Sequence, residues 1–308
     1  MNNAIEIINL HKKYGQLEAV KNLTLNIKVG EFYGMLGPNG AGKSTTINSI
    51  TGYVKPTSGK INVLSQDIEK EFRFTRSKIG IAQQEISNDW FFPIEDLLFF
   101  QAGFYGINKM SATKNIKNLL AQMGLEQHKR KKMRALSGGM KRRFQIAKAL
   151  VHDPEILILD EPTAGVDVEL RHELWDFLRS LHQSGKTVLL TTHYIDEAEL
   201  LCSKVGIIND GRLIKEGTVA DLKSTINKSS IVIKIRQGQA HPFNQILKDY
   251  DWTYNKEELI ISSESPNSDL PKLINTISTS DVKIDDIQLS KTSLEDVFLK
   301  LTGKKIDD

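Results

Sequence analysis

A single cysteine, Cys202, stands among 308 residues. An intrachain disulfide is therefore excluded, and a reducing compartment is expected. A lone cysteine on a helical pattern reads as a small buried side chain. Of the seven histidines, no two fall within five residues of one another, so there is no support for a protein-built zinc site. No uninterrupted apolar stretch approaches the ~18 residues of a membrane-crossing helix. Nor does a basic segment followed by an apolar run open the sequence, so no signal peptide is expected. If the protein works at a membrane, another chain must do the spanning. Charge of one sign is scarce as well: the net charge is +3, too small to argue for nucleic acid or anionic lipid. The first 225 residues hold 30 basic and 25 acidic side chains, against 11 and 13 in the rest. The small basic excess falls where a polyanionic ligand is expected.

What remains is the composition of an ordinary globular protein, 40% hydrophobic and 26% charged. The length suffices for an α/β core plus a smaller second unit. Leu23 to Val29 alternates apolar and polar residues with the period of a half-buried strand, and Gly30-Glu31 turns it into a second strand, Phe32 to Leu36. Strands are also predicted at Ile79 to Ala82, Ile156 to Leu159 and Val188 to Thr192. The last two are the continuous apolar or β-branched runs of parallel strands covered on both faces. Val205 to Asn209 and Arg212 to Glu216 read as a hairpin on the Asp210-Gly211 turn. Thr218 to Asp221 has capping-box form and opens a short helix. The chain becomes polar and serine-rich around Lys223 to Ser230, which divides it into a domain 1–222, a linker 223–230 and a second domain 231–308. The coarse order there is strand (Ile231 to Arg236), helix, strand, strand (Leu259 to Ser262), helix (Leu270 to Ser278) and strand (Val282 to Leu289), with a terminal helix from Leu294 to Leu301, which fits a split βαβ sandwich.

Gly37-Pro38-Asn39-Gly40-Ala41-Gly42-Lys43-Ser44, followed by Thr45, matches the phosphate-binding P-loop in full. It follows the strand ending at Leu36 and precedes a helical segment starting near Lys43. Its glycines let backbone N–H groups turn toward phosphates, helped by the positive end of the helix. Lys43 reaches the β- and γ-phosphates, and Ser44 can ligate Mg²⁺. Ile156 to Leu159 is a buried strand that runs into two adjacent carboxylates, Asp160 and Glu161. Burying unpaired carboxylates costs several kcal/mol, so this position points to a metal or phosphate site; alone, such a pair could equally cap the next helix. Beside the P-loop, Asp160 would hold Mg²⁺ through water and Glu161 would polarise an attacking water. Leu136-Ser137-Gly138-Gly139-Met140 precedes a helical pattern with Met140, Phe144, Ala147 and Val151 on one face. Ser137 and Gly139 thus sit at a helix N-terminus, which is either a plain cap or an anion site.

Together these segments resemble the ATP-binding cassette (ABC) family, over roughly residues 4–222. Leu136 to Met140 is similar to the family's signature motif, which implies that Ser137, Gly138 and Gly139 close on the γ-phosphate held by a second subunit. Tyr14 stands where the family stacks an aromatic on adenine. Gln84 fits the Q-loop glutamine that reaches Mg²⁺ and the attacking water, and Gln83 stands where many relatives have proline. Gly165-Val166-Asp167 resembles the D-loop, which places Asp167 with the nucleotide in trans. His193 matches the switch histidine at the γ-phosphate. As single residues, Tyr14 and His193 would more often be packing residues; their order among the other motifs is what points to the nucleotide. Leu136 to Arg143, Thr191 to Cys202 and Leu294 to Leu299 resemble in particular the ATPase subunits of ABC-2 type exporters, the daunorubicin-resistance-like and YadG-like group.

The resemblance implies an α/β fold: a P-loop NTPase of the ABC ATPase type with a helical subdomain near 85–152, plus a small α+β C-terminal domain. It further implies ATP and Mg²⁺ as cofactors and ATP hydrolysis by a two-fold dimer. Separate ABC-2 type transmembrane permease subunits would be partners, at the cytoplasmic face of the inner membrane, with no nucleic acid expected. Glu85 to Pro93 carries the aromatics Trp90, Phe91 and Phe92, which either meet the membrane subunit or pack internally. The run Lys129 to Arg134 is either a solvated face or a contact with lipid headgroups or acidic groups. A relative acting on ribosomes usually carries two cassettes, and this chain has one. A DNA-repair ATPase of the coiled-coil type would need long heptad insertions between Ser44 and Ser137, where 93 residues leave no room. A degenerate nucleotide sensor is disfavoured by Glu161 and His193.

Overall fold

The computed structural model describes residues 2–84, 91–226, 229–235, 243, 247–248, 250–255, 258–263, 265–278, 284–290 and 292–306. The expectation placed on Trp90 lies outside them. The chain divides into two units, Met1–Val219 with Ile306–Asp308, and Ala220–Lys305.

In the first unit β1 (Asn3–Tyr14) and β2 (Leu17–Lys28) pair antiparallel, β3 (Phe32–Leu36) enters a second sheet, and β4 (Ser58–Val63) returns to β1 with β5 (Gln66–Asp67) at its edge. β1 and β4 escape the alternation test that found part of β2. In β1 the pairing register shifts between Ile7 and Leu10, and Asn9 takes φ 48°, so the bulge breaks the period of two. The second sheet has the order β10-β9-β3-β8-β7-β6. Its members are β3, β6 (Ile79–Ala82), β7 (Ile156–Asp160), β8 (Thr187–Thr192), β9 (Lys204–Asn209) and β10 (Arg212–Thr218). β3, β7 and β8 are buried at every position. Their apolar runs therefore find cover on both faces, as parallel central strands require. Only the β9–β10 hairpin is antiparallel.

α1 (Lys43–Ile50) follows β3, and the short α2 (Phe72–Ser77) precedes β6. α3 (Ile94–Phe104), α4 (Lys109–Gln122) and α5 (Gly138–Leu150) pack on one another. The basic run wraps the start of α3: carbonyls of Lys131 and Lys129 accept from Ile94 and Glu95 N–H, and Glu95 lies 3.3 Å from Arg130 and 3.8 Å from Lys129. α6 (Val168–Gln183) and α7 (Ile195–Leu201) complete the covering helices. Cys202 is buried, its Sγ against Gly34 of β3. Among the described residues no helix is long and apolar enough to cross a membrane.

In the second unit, β11 (Ser229–Ile235), β12 (Asp251–Asn255), β13 (Glu258–Ser263) and β14 (Ile284–Ser290) form an antiparallel sheet ordered β12-β13-β11-β14. That order, first strand beside fourth and third, is the split βαβ pairing. Ile231 and Ile233 of β11 and Leu259 and Ile261 of β13 share a buried face with Leu273 and Ile277 of the helix Pro266–Ser278. Of the helix expected before β12, Phe243 is described, buried and accepting from the N–H of Leu247. The terminal helix Leu294–Thr302 starts on a Ser293–Asp296 capping box.

Candidate nucleotide site

Register brings the motifs together. Leu36 of β3 pairs with Thr192 of β8, and Asp160 of β7 pairs with Thr191. The three segments that leave these strand ends, starting at Gly37, Glu161 and His193, therefore emerge side by side. The C-terminal edge of a parallel sheet is where α/β folds bind ligands.

Gly37 abuts the Ile208 carbonyl so closely that a Cβ there would clash. Gly42 takes φ 100° as the residue before α1, and a Cβ on it would strike the Ala19 carbonyl. The Asp210-Gly211 turn braces the same loop, since Gly211 N–H donates to Ala41 O at 3.0 Å and Gly211 O accepts from Lys21 N–H at 2.7 Å. Lys43, 4% exposed, donates to Gly37 O at 2.6 Å and Pro38 O at 3.0 Å and lies 3.5 Å from Glu161 Oε1. Burial pulls its pKa down, while Glu161 and Asp160 push it back up.

Glu161 is 5% exposed and is the hub of the site. Gln84 Nε2 donates to its Oε2 at 3.0 Å. His193 Nδ1 approaches its Oε1 at 3.2 Å without hydrogen-bond alignment. The Glu161 backbone has φ 48°, an uncommon conformation for a non-glycine residue, and its N–H donates to Thr191 O at 3.0 Å. Asp160, 7% exposed, accepts from the Thr191 hydroxyl.

Tyr14, Asn39 to Thr45, Gln84 and Glu161 line one cleft of about 580 Å³, within the range of roughly 300–1,000 Å³ usual for ligand pockets. Tyr14 is 45% exposed, with the Lys12 ammonium 4.8 Å from its ring centre. Ser137, Gly138 and Asp167 are exposed, and neither they nor Gly139 line that cleft. Ser137 caps α5, accepting from Met140 N–H at 3.3 Å, and Asp167 caps α6, accepting from Leu170 N–H at 3.0 Å. Gly139 packs against Leu170, so a Cβ there would lie 2.5 Å from Leu170 Cδ1.

Ser44 and Asp160 supply hard oxygen donors near the loop. Among the described residues no cluster of three or more His, Cys, Asp or Glu forms a metal cage. Mg²⁺ suits such a sparse set, because it takes one or two protein oxygens and completes its shell with phosphate and water.

Two buried groups escaped the motif reading. Arg142 of α5 is 5% exposed and donates into the site's backbone, and its pKa is lowered to about 10 by burial, partly opposed by Asp160. Its spacing with Gln145, Ile146 and Ala149 on one helical face was the available signal. Glu197 of α7 is fully buried and accepts from Trp175 Nε1 at 3.2 Å; burial raises its pKa.

The P-loop, the carboxylates on a parallel strand end and the covering helices define a P-loop ATPase cassette. Comparison with known proteins names the family. Residues 20–164 match the family model described as ABC transporter, and residues 217–302 match that of the ATP-binding protein DrrA1-3-like, C-terminal domain. The chain is 36% identical over 306 residues to the linearmycin resistance ATP-binding protein LnrL of Bacillus subtilis, covering 97% of this chain and 98% of that one. It is 34% identical over 311 residues to the daunorubicin/doxorubicin resistance ATP-binding protein DrrA of Streptomyces peucetius, covering 99% and 94%. The dimeric structure of the ATP-binding cassette MJ0796, in a post-hydrolysis state with ADP and Pi, superposes with a TM-score of 0.64 at 29% identity, covering 70% of this chain and 98% of that one. The chain belongs to the ABC transporter family as an ATP-binding cassette ATPase with a DrrA-like C-terminal domain.

Proposed function

We propose that this ATPase is the motor subunit of an ABC-2 type exporter, working as a nucleotide-sandwich dimer docked on separate transmembrane permease subunits at the cytoplasmic face of the inner membrane. The observation that carries the reading is the separation of the motifs within one chain. Gln84, His193 and Lys43 converge on Glu161 at the edge of the P-loop cleft. Ser137, Gly138 and Asp167 are exposed outside it, with Gly139 beside them. A second copy would bring those residues onto the γ-phosphate. The names of the relatives, two of them drug-resistance ATP-binding proteins, support export.

Domain 1–222 binds the nucleotide: Tyr14 stacks on adenine, and Gly37 to Thr45 cradle the phosphates with backbone N–H groups and the Lys43 ammonium. Ser44 and Asp160, with Gln84, would hold Mg²⁺, which would supply positive charge to offset that of the phosphates. Phosphoryl transfer to water then relies on positioning and electrostatics. Glu161 accepts a hydrogen bond from the attacking water and aligns it, His193 contacts the γ-phosphate, and Gln84 holds Glu161 and senses the metal. Domain 231–308, joined through 223–230, takes by resemblance a regulatory or dimer-supporting role. Phe91 and Phe92 are 73% and 49% exposed, which supports a docking face beside α3.

The test is an affinity pull-down of tagged Glu161→Gln protein with Mg-ATP from detergent-solubilised membranes. Co-purification of one multi-span membrane protein is the expected result. Recovery of ribosomes or nucleic acid with no integral membrane protein would leave the ATPase and overturn the transport reading.

A further inference from the structure

Glu161 needs more than its own side-chain partners, because a non-glycine residue at φ 48° keeps that conformation only where its surroundings over-determine it. The backbone on both sides of Glu161 is held by one side chain. Arg142 Nε donates to Pro162 O at 2.8 Å, and its second terminal nitrogen donates to Asp160 O. Its first terminal nitrogen donates to Gln83 O and to Gln145 Oε1, the latter at 2.9 Å. Asp160 and Pro162 are the two neighbours of Glu161, and Gln83 directly precedes Gln84. The four acceptors are three main-chain carbonyls and one amide oxygen. Arg142 itself leaves α5 five residues after Ser137, the residue that caps that helix.

A buried arginine satisfied by carbonyls can be a plain staple of a core. A staple has no reason to choose its carbonyls, however. Here all three belong to the two segments that carry Glu161 and Gln84. The planar guanidinium presents donors in a rigid fork, so it fixes three carbonyls relative to one another, which a point-like ammonium cannot do.

We infer that Arg142 is a positioning residue for hydrolysis: it holds the turn at Glu161 and the Gln84 segment in one frame, and ties that frame to the helix that carries Ser137. The inference rests on the reading of Glu161 as the residue that aligns water. It has a consequence for coupling. A nucleotide engaging Ser137 to Gly139 from a second subunit would act on α5, and Arg142 would pass that displacement to this subunit's own Glu161.

The experiment uses the full chain with Arg142→Gln and Arg142→Lys, each measured for Mg-ATP affinity, steady-state kcat and melting temperature. Affinity within about 2-fold of wild type with kcat lowered by about 100-fold is expected for the glutamine variant, the loss that follows from an ångström-scale misplacement. The lysine variant keeps charge without the fork and is expected to recover only part of the rate. Gln84→Ala, which slows the parent, is expected to cost less than about 2-fold more in the Arg142→Gln background, because both changes release the same carboxylate. Wild-type kcat in either folded variant overturns the inference. So do affinity and kcat falling in parallel, additive effects in the double variant, or failure of both variants to fold. Glu161→Gln run alongside separates the two readings. If it hydrolyses at the wild-type rate, the role of Glu161 itself fails; if it is inactive while Arg142→Gln is fully active, only Arg142 is misassigned.

Discussion

Gln84 Nε2 and Glu161 Oε2, 77 residues apart in the chain, are joined by a 3.0 Å hydrogen bond at the mouth of the P-loop cleft. The bond ties the segment after β6 to the end of β7, and these strands are parallel neighbours. The carboxylate is also 3.5 Å from the buried Lys43 ammonium. One side chain thus meets both the buried lysine of the P-loop and the glutamine after β6.

Replacing Glu161 with Gln keeps shape and removes charge. Mg-ATP binding is expected to persist while turnover falls by about 10²–10⁴-fold, the usual worth of a positioned acid–base group. Phosphate release on purified protein measures it, and wild-type turnover would remove Glu161 from its role.

Lys43→Ala removes the ammonium that the loop itself places 3.5 Å from the Glu161 carboxylate and leaves His193 Nδ1, at 3.2 Å, beside it. ATP affinity is expected to drop by at least about 10-fold, since a hydrogen bond to a charged group contributes about 1.5–3 kcal/mol. Calorimetric titration decides; unchanged affinity would contradict the assignment.

Tyr14 is 45% exposed and lines the cleft that holds the P-loop. Tyr14→Ala is expected to weaken ATP binding by about 1–3 kcal/mol, the range of aromatic–base stacking, with little change in kcat at saturation. A variant that binds ATP as wild type does would return Tyr14 to a packing role.

Ser137→Arg puts a long cation on an exposed cap outside the cleft. Monomer binding of ATP is expected to survive, while ATP-dependent dimerisation and turnover are lost. Light scattering of the variant in the Glu161→Gln background, with and without Mg-ATP, checks this. A dimer formed as in the parent would exclude the trans contact.

Glu197 is fully buried, and burial holds its pKa above the ordinary glutamate value of 4.5. Between that value and the raised folded value the native state binds more protons than the unfolded one, so stability falls as pH rises through this window. Glu197→Gln keeps an oxygen for the Trp175 N–H and has no charge to desolvate. Its melting temperature is expected to gain on wild type as pH increases from about 4.5; parallel curves would show that Glu197 titrates alike in the folded and unfolded states and that burial does not raise its pKa.

Much of the fold was legible because local chemistry repeats there. The runs at β3, β7 and β8 are apolar because both faces are covered, and the P-loop needs glycine where Gly37 and Gly42 meet carbonyls of Ile208 and Ala19. β1 was not legible, since a bulge at Asn9 erases the alternation that marks a half-exposed strand. Arg142 was hidden for a different reason. In the sequence it is one of three consecutive basic residues, and only its helical spacing with Gln145, Ile146 and Ala149 marks it as turning inward while its neighbour Arg143 lies nearer the surface.

By itself, then, the sequence determined which residue types could handle a triphosphate and the order in which they occur, because a P-loop and a carboxylate-tipped strand are short-range patterns. Tertiary structure decided which of them meet. Leu36, Asp160 and Thr192 end parallel strands in register, so Lys43, Glu161 and His193 share one corner, while Ser137 and Asp167 begin helices outside it. Strand register and helix placement come from burying apolar faces across the whole domain, and no window of sequence contains that information.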